Sequence, residues 1–558
     1  MRLFAFPYAQ TQTKALCAES ILKKQLCHCA LETSRTVWRR EQQRVMTAAA
    51  AARSSSARQP LFKYPALPEA KFCFFVTFSA LTYAWYCVYN ASTKFEFKFG
   101  HMASISDLPF FGKRFKDESN WEWFRWSPMG LSLIPYYVAH SVVFNALDRV
   151  LSKEVFPVII TIYSIATTAY IFTPWLTFLA VSQGILVFGA TNIYRKQVTV
   201  WLSSVPILYY TMHKTTSLSD DPFKVLIFVS YTLLSFISYN LEFLQGATRK
   251  EDDTVLKRLI RMLYYAFYIP YMVSLIVIYP DFERQLVERE TRQREWKKIF
   301  YSIFKVAFFW CLIELILHFF YFESILNDIN FANQLPKNEF VALGMALGTF
   351  FQMKYVVIFG FPAIFALIDN MQPLAGPICI ARVTLYSKIW RSFDRGLYAF
   401  FKKYIFVPIC RPTFSLHRKL FGVLLSYSFV LLWHGFYHHN IVWIGLNILE
   451  LFLEYAGKGF YSIENVRMWR EKHISDVNFR RILAWLQIFP FVFGLYSNFY
   501  FLGGSKVGWA FVQRIFWEET VTLRYPFFVL IAIGYHYTHV TMECERIIDN
   551  NAAKKKLN

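Results

Sequence analysis

The chain has 558 residues, 55% of them hydrophobic and 20% aromatic, with only 18% charged, whereas a soluble chain carries about 25% charged residues. Its 60 Lys and Arg against 38 Asp and Glu leave a formal net charge of +22. A nucleic-acid binder would gather that excess in a basic domain of soluble composition. None is present, so the excess reads as the positive-inside bias of a chain that crosses a membrane many times.

Residues 1–68 stand apart: polar, poor in acids and rich in Arg, with an Ala run before Arg53 and three serines after it. They read as a disordered cytosolic tail or an over-extended start, with some likeness to an organelle transit peptide. The nine cysteines are scattered and form no secreted-type framework. Cys27-His28-Cys29, the one close cluster, lacks the second ligand pair of a zinc site.

From Phe72 the chain becomes a series of long uncharged stretches. Residues 72–89 match a hydrocarbon core of roughly 30 Å. A charged loop follows, with the cluster Trp121-Glu122-Trp123-Phe124-Arg125-Trp126 expected at the membrane–water interface. Residues 131–147 form a second stretch. Residues 155–194 contain no Asp, Glu, Lys or Arg; they are twice the length of one span, with a break expected at Pro174. Residues 198–212, 225–241 and 263–279 follow, and then a run of mixed charge, 283–298, that reads as an exposed helix. Residues 306–322 with Glu314 inside, 340–367 interrupted by Lys354 and Pro362, 420–449, 482–502 and 527–542 complete the series.

The expected fold is therefore an all-α polytopic membrane protein with about ten to twelve membrane-inserted segments, some short enough to be re-entrant. The membrane domain is expected over 69–548, between the basic tail 1–68 and a basic cytosolic tail 549–558. No internal repeat of the transporter kind is visible, which weighs against a transporter or channel.

The unusual residues fall between 379 and 450. His434 lies in an otherwise apolar helix, where an ionisable side chain is costly and points to function; the plainer alternatives are a neutral His bonded to a backbone carbonyl, or one sitting at the helix end beside His438 and His439. Gly435 beside it lets a backbone or substrate approach the ring. Asp394 sits among Lys388, Arg391, Arg395, Lys402, Lys403 and Arg411, so a surface ion pair with Arg391 or Arg395 is one reading. The basic set is either a positive-inside signature or an attractor for a polyanionic cosubstrate such as coenzyme A.

Trp390-Arg391-Ser392-Phe393-Asp394-Arg395-Gly396-Leu397, followed by Trp433-His434-Gly435, resembles the paired signature of the membrane-bound O-acyltransferase (MBOAT) family, in its Hedgehog-acyltransferase branch. Phe351-Gln352-Met353-Lys354-Tyr355, Ser497-Asn498-Phe499-Tyr500 and Trp121-Glu122-Trp123 are similar to further blocks of that branch in the same order. The resemblance runs from about residue 70 to about 545. It implies an MBOAT-like helix bundle, His434 and Asp394 as catalytic residues, and Trp390, Arg391, Arg395, Lys388 and Asn498 as substrate-binding residues. It also implies palmitoyl-CoA as cosubstrate, a secretory, Hedgehog-like protein with an N-terminal Cys as acceptor, an endoplasmic-reticulum membrane location, and haem held by Cys379, fifteen residues before Asp394.

Two departures stand out: Val407-Pro408-Ile409-Cys410-Arg411-Pro412 replaces a glycine-rich stretch, and residues 267–281 lack polar residues found there in relatives. These leave open a lipid or glycolipid head group as acceptor, or a non-catalytic lipid- or haem-binding relative. Lys555 and Lys556, fourth and third from the end, resemble a retrieval signal, with a solubilising tail as the alternative. With both termini cytosolic, the number of crossings is even.

Overall fold

The computed structural model describes residues 62–246, 253–517 and 525–557; the tail and Cys27-His28-Cys29 lie outside them. Long apolar stretches become helices because lipid offers no partner for backbone N–H and C=O groups. Seven helices among the described residues are long and apolar enough to cross a membrane. They are α1 (Ala70–Thr93), α2 (Trp121–Val150), α4 (Pro174–Tyr194), α6 (Pro222–Leu244), α9 (Trp296–Leu317), α10 (Lys337–Ile368) and α15 (Asp476–Trp517). Five more long helices join them: α3 (Phe156–Phe172), α5 (Gln197–His213), α13 (Leu416–His434), α14 (His438–Tyr461) and α16 (Tyr525–Leu557). Shorter helices are α7 (Val255–Ala266), α8 (Tyr279–Arg289), α11 (Tyr386–Ser392) and α12 (Arg395–Phe401). The bundle is inverted relative to a soluble protein. On α1, Phe75 and Phe78 keep 67% and 72% of their surface exposed, while Arg480 on α15 is fully buried. Such an apolar exterior needs a bilayer around it.

Pro174 does break the 155–194 stretch: Thr173 caps α4, its side chain accepting from Leu176 N–H, and Pro174 takes the first helical position. Arg480 ties three elements together. Its guanidinium donates to Glu543 Oε2 at 2.9 Å, to the His539 carbonyl at 3.0 Å and to the Pro65 carbonyl at 2.5 Å, joining α15 to α16 and to the chain before α1.

Four expectations need correction. Residues 263–279 are not a spanning helix: α7 stops at Ala266, a single turn covers Ile269–Met272, and Ser274 takes a positive φ of 68°. Pro270 and Pro280 flank this stretch, and its apolar side chains are buried inside protein, so apolarity here records a protein core instead of lipid contact. The Trp cluster is internal only in part: Trp121 and Phe124 stay exposed. Trp123 and Trp126 are buried, stack on each other and meet Trp310 edge-on and tilted; Glu314 Oε1 accepts from the Trp123 indole at 3.1 Å, so that ring needs no headgroup to satisfy it.

The charged run 283–298 is a corner, not one helix. α8 ends at Arg289 and α9 starts at Trp296, with Arg294 donating to Asn145 and Asn370 donating to the Arg289 and Arg292 carbonyls. Lastly, 420–449 is two helices broken at Gly435, whose φ of 91° requires glycine.

An antiparallel hairpin, β1 (Ala103–Leu108) with β2 (Gly112–Asp117), was not anticipated. Buried Asp117 anchors it by accepting from Ser324 N–H and Oγ and from Ser119 N–H. Burial nevertheless pushes the Asp117 carboxyl above its ordinary range.

Candidate active site

Helix α13 ends on His434, and the way it ends sets the ring. Helix C-termini leave carbonyls without intrahelical donors; Asn440 Nδ2 supplies them, donating to the His434 carbonyl at 2.9 Å and the Gly435 carbonyl at 3.0 Å. The imidazole packs edge-on against Trp443 and Phe501, each with centroids 5.3 Å away. Neither ring nitrogen has a hydrogen-bond partner among the described residues. The plainer sequence reading, a His bonded to a carbonyl, does not hold.

What the ring faces is a junction. One cavity of about 220 Å³ is lined by Trp390, Asp394, Tyr386, Asn447, Asn498 and His434 among others. A second, of about 410 Å³, is lined by Asn120, Glu122, Glu323, Lys354, His213 and again His434. Seven residues belong to both walls: Tyr231, Phe351, Tyr355, Trp433, His434, Phe501 and Leu502.

Asp394 caps α12. Its Oδ1 accepts from Leu397 N–H at 2.8 Å, and Gly396 N–H also donates to the carboxylate; a carboxylate at a helix N-terminus is favoured there. It makes no ion pair with Arg391 or Arg395 among the described residues, so the surface-pair reading is set aside. The loop is pinned by Phe393, which stacks flat on Phe351 of α10 at 5.1 Å. Trp390 donates its indole N–H to Asn447 Oδ1 at 2.8 Å and stacks on Trp443. Asn498 accepts from the Tyr386 hydroxyl at 3.0 Å, which also meets Ser497 Oγ at 2.8 Å.

Four residues singled out from sequence thus share one cavity: His434, Asp394, Trp390 and Asn498. Lys388, Arg391 and Arg395 line neither cavity: Lys388 pairs with Glu545, and Arg391 folds back on Ser387. Cys379 also lies off both walls. It is a free, half-buried thiol at the start of the short helix Ile380–Arg382, and Gly376 nearby borders open space. A single thiol with open space beside it is the donor that would hold a haem iron here; among the described residues no group of three His, Cys, Asp or Glu forms a metal site.

Sequence reasoning missed the wall of the second cavity. Lys354 Nζ meets Glu122 Oε2 at 2.5 Å and Asn120 Oδ1 at 3.3 Å; the Tyr355 hydroxyl donates to Glu122 Oε1 at 2.8 Å; Asn120 Nδ2 donates to Glu323 Oε1 at 2.7 Å. The sequence signals were Lys354 interrupting an apolar stretch and the family-like blocks that contain Glu122, Lys354 and Tyr355.

A basic side chain free of partners, facing two cavities that meet within a hydrophobic bundle, is what transfer of a group between two separately entering substrates requires. Comparison with known proteins agrees. The sequence model of MBOAT, the membrane-bound O-acyltransferase family, matches residues 191–497, more than half of the chain and including both Asp394 and His434. The chain belongs to the membrane-bound O-acyltransferase family. It is an acyltransferase.

It is 27% identical over 421 residues to the Drosophila melanogaster protein named protein-cysteine N-palmitoyltransferase Rasp, covering 74% of this chain and 83% of that one. It is 24% identical over 491 residues to the Mus musculus protein-cysteine N-palmitoyltransferase HHAT, covering 85% and 97%. The Schizosaccharomyces pombe membrane-bound O-acyltransferase gup1 is 24% identical over 208 residues, 37% of this chain and 34% of that one. Palmitoyltransferase relatives imply an acyl-CoA cosubstrate for the acyltransferase.

Proposed function

We propose that this acyltransferase moves a long-chain acyl group, palmitoyl, from acyl-CoA to the amino group of an N-terminal cysteine on a secretory, Hedgehog-like protein, in the endoplasmic-reticulum membrane. The observation that carries the reading is His434, with both ring nitrogens unpartnered, on the wall shared by two cavities. The fly and mouse relatives are named for an N-palmitoyl transfer to protein cysteine, which supports this acceptor class.

In this reading the acyl-CoA occupies the cavity of Trp390, Asp394 and Asn498, and the acceptor occupies the cavity of Glu122 and Lys354. The amine nitrogen attacks the thioester carbonyl, a C–N bond forms and the C–S bond breaks. His434 takes the proton that the nitrogen loses and returns it to the departing sulfur, leaving the amide and free coenzyme A. General-base help of this kind is worth roughly 10²–10⁴-fold. A terminal amine, with a pKa of about 8, is partly neutral already, so orientation contributes alongside proton transfer.

Asp394 is the positioning group that holds the α11–α12 corner against the thioester. Lys388, Arg391 and Arg395, on the same two short helices but outside the cavity, attract the coenzyme A phosphates through their summed positive field. Cys379 would be the residue that holds a haem, and no step of acyl transfer passes through it; loss of a haem absorbance band in purified Cys379→Ala, with the protein still folded, is the readout.

The test is incubation of purified protein with labelled palmitoyl-CoA and peptides beginning with Cys, Ser or acetylated Cys, in wild type, His434→Ala and Asp394→Ala. Acylation of free-amine Cys peptides by wild type alone is expected. Wild-type turnover in both variants overturns the assignment, and labelling of lipid head groups instead of peptides redirects it to a hydroxyl acceptor.

A further inference from the structure

The second cavity carries more ionisable side chains on its wall than the first. Of its ionisable lining, Glu122 is fully satisfied, one oxygen by the Tyr355 hydroxyl at 2.8 Å and the other by Lys354 at 2.5 Å. Lys354 is itself buried, so the pair cancels within the wall. Glu323 is different. Its Oε1 is held by Asn120 Nδ2 at 2.7 Å, while Oε2 has no hydrogen-bond partner among the described residues, and the half-buried side chain opens into the cavity. Asn120 is itself fixed, its Oδ1 accepting from Trp123 N–H at 3.0 Å. A rigid bracket thus presents one uncancelled carboxylate to a space that His434 also faces.

From this arrangement we propose that Glu323 is the specificity-determining group for the acceptor, receiving the cationic amine of an unblocked N-terminus in the second cavity before it reaches His434. The inference rests on the amine-acceptor reading above and deepens it. A charge-assisted hydrogen bond to a carboxylate is about twice as strong as a neutral one, and a cavity wall with one surplus negative charge favours a cation over a neutral hydroxyl.

Surroundings give the carboxylate a working range. Burial first, and then Asp117 on the hairpin, push Glu323 up to about 7, against the pull of Asn120 and of Lys354 on α10. Glu122 on α2 and, across the cavity, His213 and His434 are the other ionisable groups facing this space. Glu323 is then neutral at pH 6 and charged at pH 8, and an α-amine is cationic up to about pH 8. Recognition therefore strengthens as pH rises from 6 toward 8.

The experiment is steady-state kinetics of the full-length protein with palmitoyl-CoA and a free-amine Cys peptide from pH 6 to 8. Glu323→Gln keeps the bond from Asn120 and removes only the charge. It is expected to raise the peptide KM about tenfold at pH 7.5, to leave kcat and the palmitoyl-CoA KM within twofold, and to flatten the pH dependence of the peptide KM. A second measurement needs no variant: a desamino analogue of the peptide, which lacks the amine, should compete about tenfold more weakly than the amine peptide at pH 8 and equally at pH 6. An unchanged peptide KM in Glu323→Gln, or equal competition at both pH values, overturns the inference while leaving amine acylation standing. Failure of wild type to acylate any free-amine peptide removes the underlying reading instead.

Discussion

Replacing Gly396 by alanine forces the corner that carries Asp394 to move. A Cβ at Gly396 would lie 1.9 Å from the backbone oxygen of Ile276 and 2.8 Å from its carbonyl carbon. Real Cβ atoms do not come within 3.0 Å, so the two segments must separate by at least about 1.1 Å. Backbone oxygen cannot swing aside as a flexible side chain does, and Ile276 belongs to the buried irregular stretch after α7. The displacement therefore falls on the start of α12, where Leu397 N–H holds Asp394 Oδ1 at 2.8 Å. Losing that cap costs about 1 kcal/mol, and a shift of about 1 Å in a reacting geometry costs on the order of 10²-fold in rate. The assay is turnover of palmitoyl-CoA with a Cys peptide, run beside thermal unfolding in detergent. Gly445→Ala is the control, since nothing lies within 4 Å of a Cβ there, and it should be neutral. If Gly396→Ala keeps half or more of the wild-type rate and melts normally, the position of the Asp394 carboxylate is not what the reaction depends on.

Arg480→Ala should destabilise the fold without touching either cavity: it frees two carbonyls and leaves Glu543 with Arg546 as its remaining partner. A buried polar group left without its partner costs about 1–3 kcal/mol, read as a lower unfolding midpoint, with kcat of the folded fraction unchanged. Trp390→Ala should raise the KM for palmitoyl-CoA and relax discrimination among acyl chain lengths, because it removes an indole from the cavity wall and leaves Asn447 Oδ1 without its donor; a panel of acyl-CoAs of graded length measures it.

The helical membrane fold was legible because a stretch such as 155–194 without an acid or base has few alternatives, and Pro174 marks its own break. Residues 263–279 show the limit of that logic. Apolarity and length do not separate a segment bathed in lipid from one wrapped in protein, and this one is wrapped. His434, Asp394, Trp390 and Asn498 were legible through their motifs, and the cavity they share fits that expectation. Lys388, Arg391 and Arg395 came into the site with the motif that carries Asp394, yet on helices as short as α11 and α12 neighbouring side chains point in different directions, and these three line neither cavity. Glu122, Glu323 and Lys354 were not legible as a group because they come from α2, from the connector after α9 and from α10. Only tertiary packing brings them to one wall, and each alone resembles an ordinary charge at a helix end or in a loop.

The meeting of two cavities at one histidine has a consequence for the finished product on the proposed reading. Once the amide forms, a fatty chain lying in one cavity is covalently joined to a polypeptide lying in the other, so the product is threaded through the narrow aromatic neck between them. The tail must either be drawn through the neck behind the peptide or slip sideways between helices into the bilayer. Departure, not bond formation, then becomes the natural slow step, and substitutions that widen the neck at Phe501 or Tyr355 would be felt first in how quickly the lipidated protein leaves.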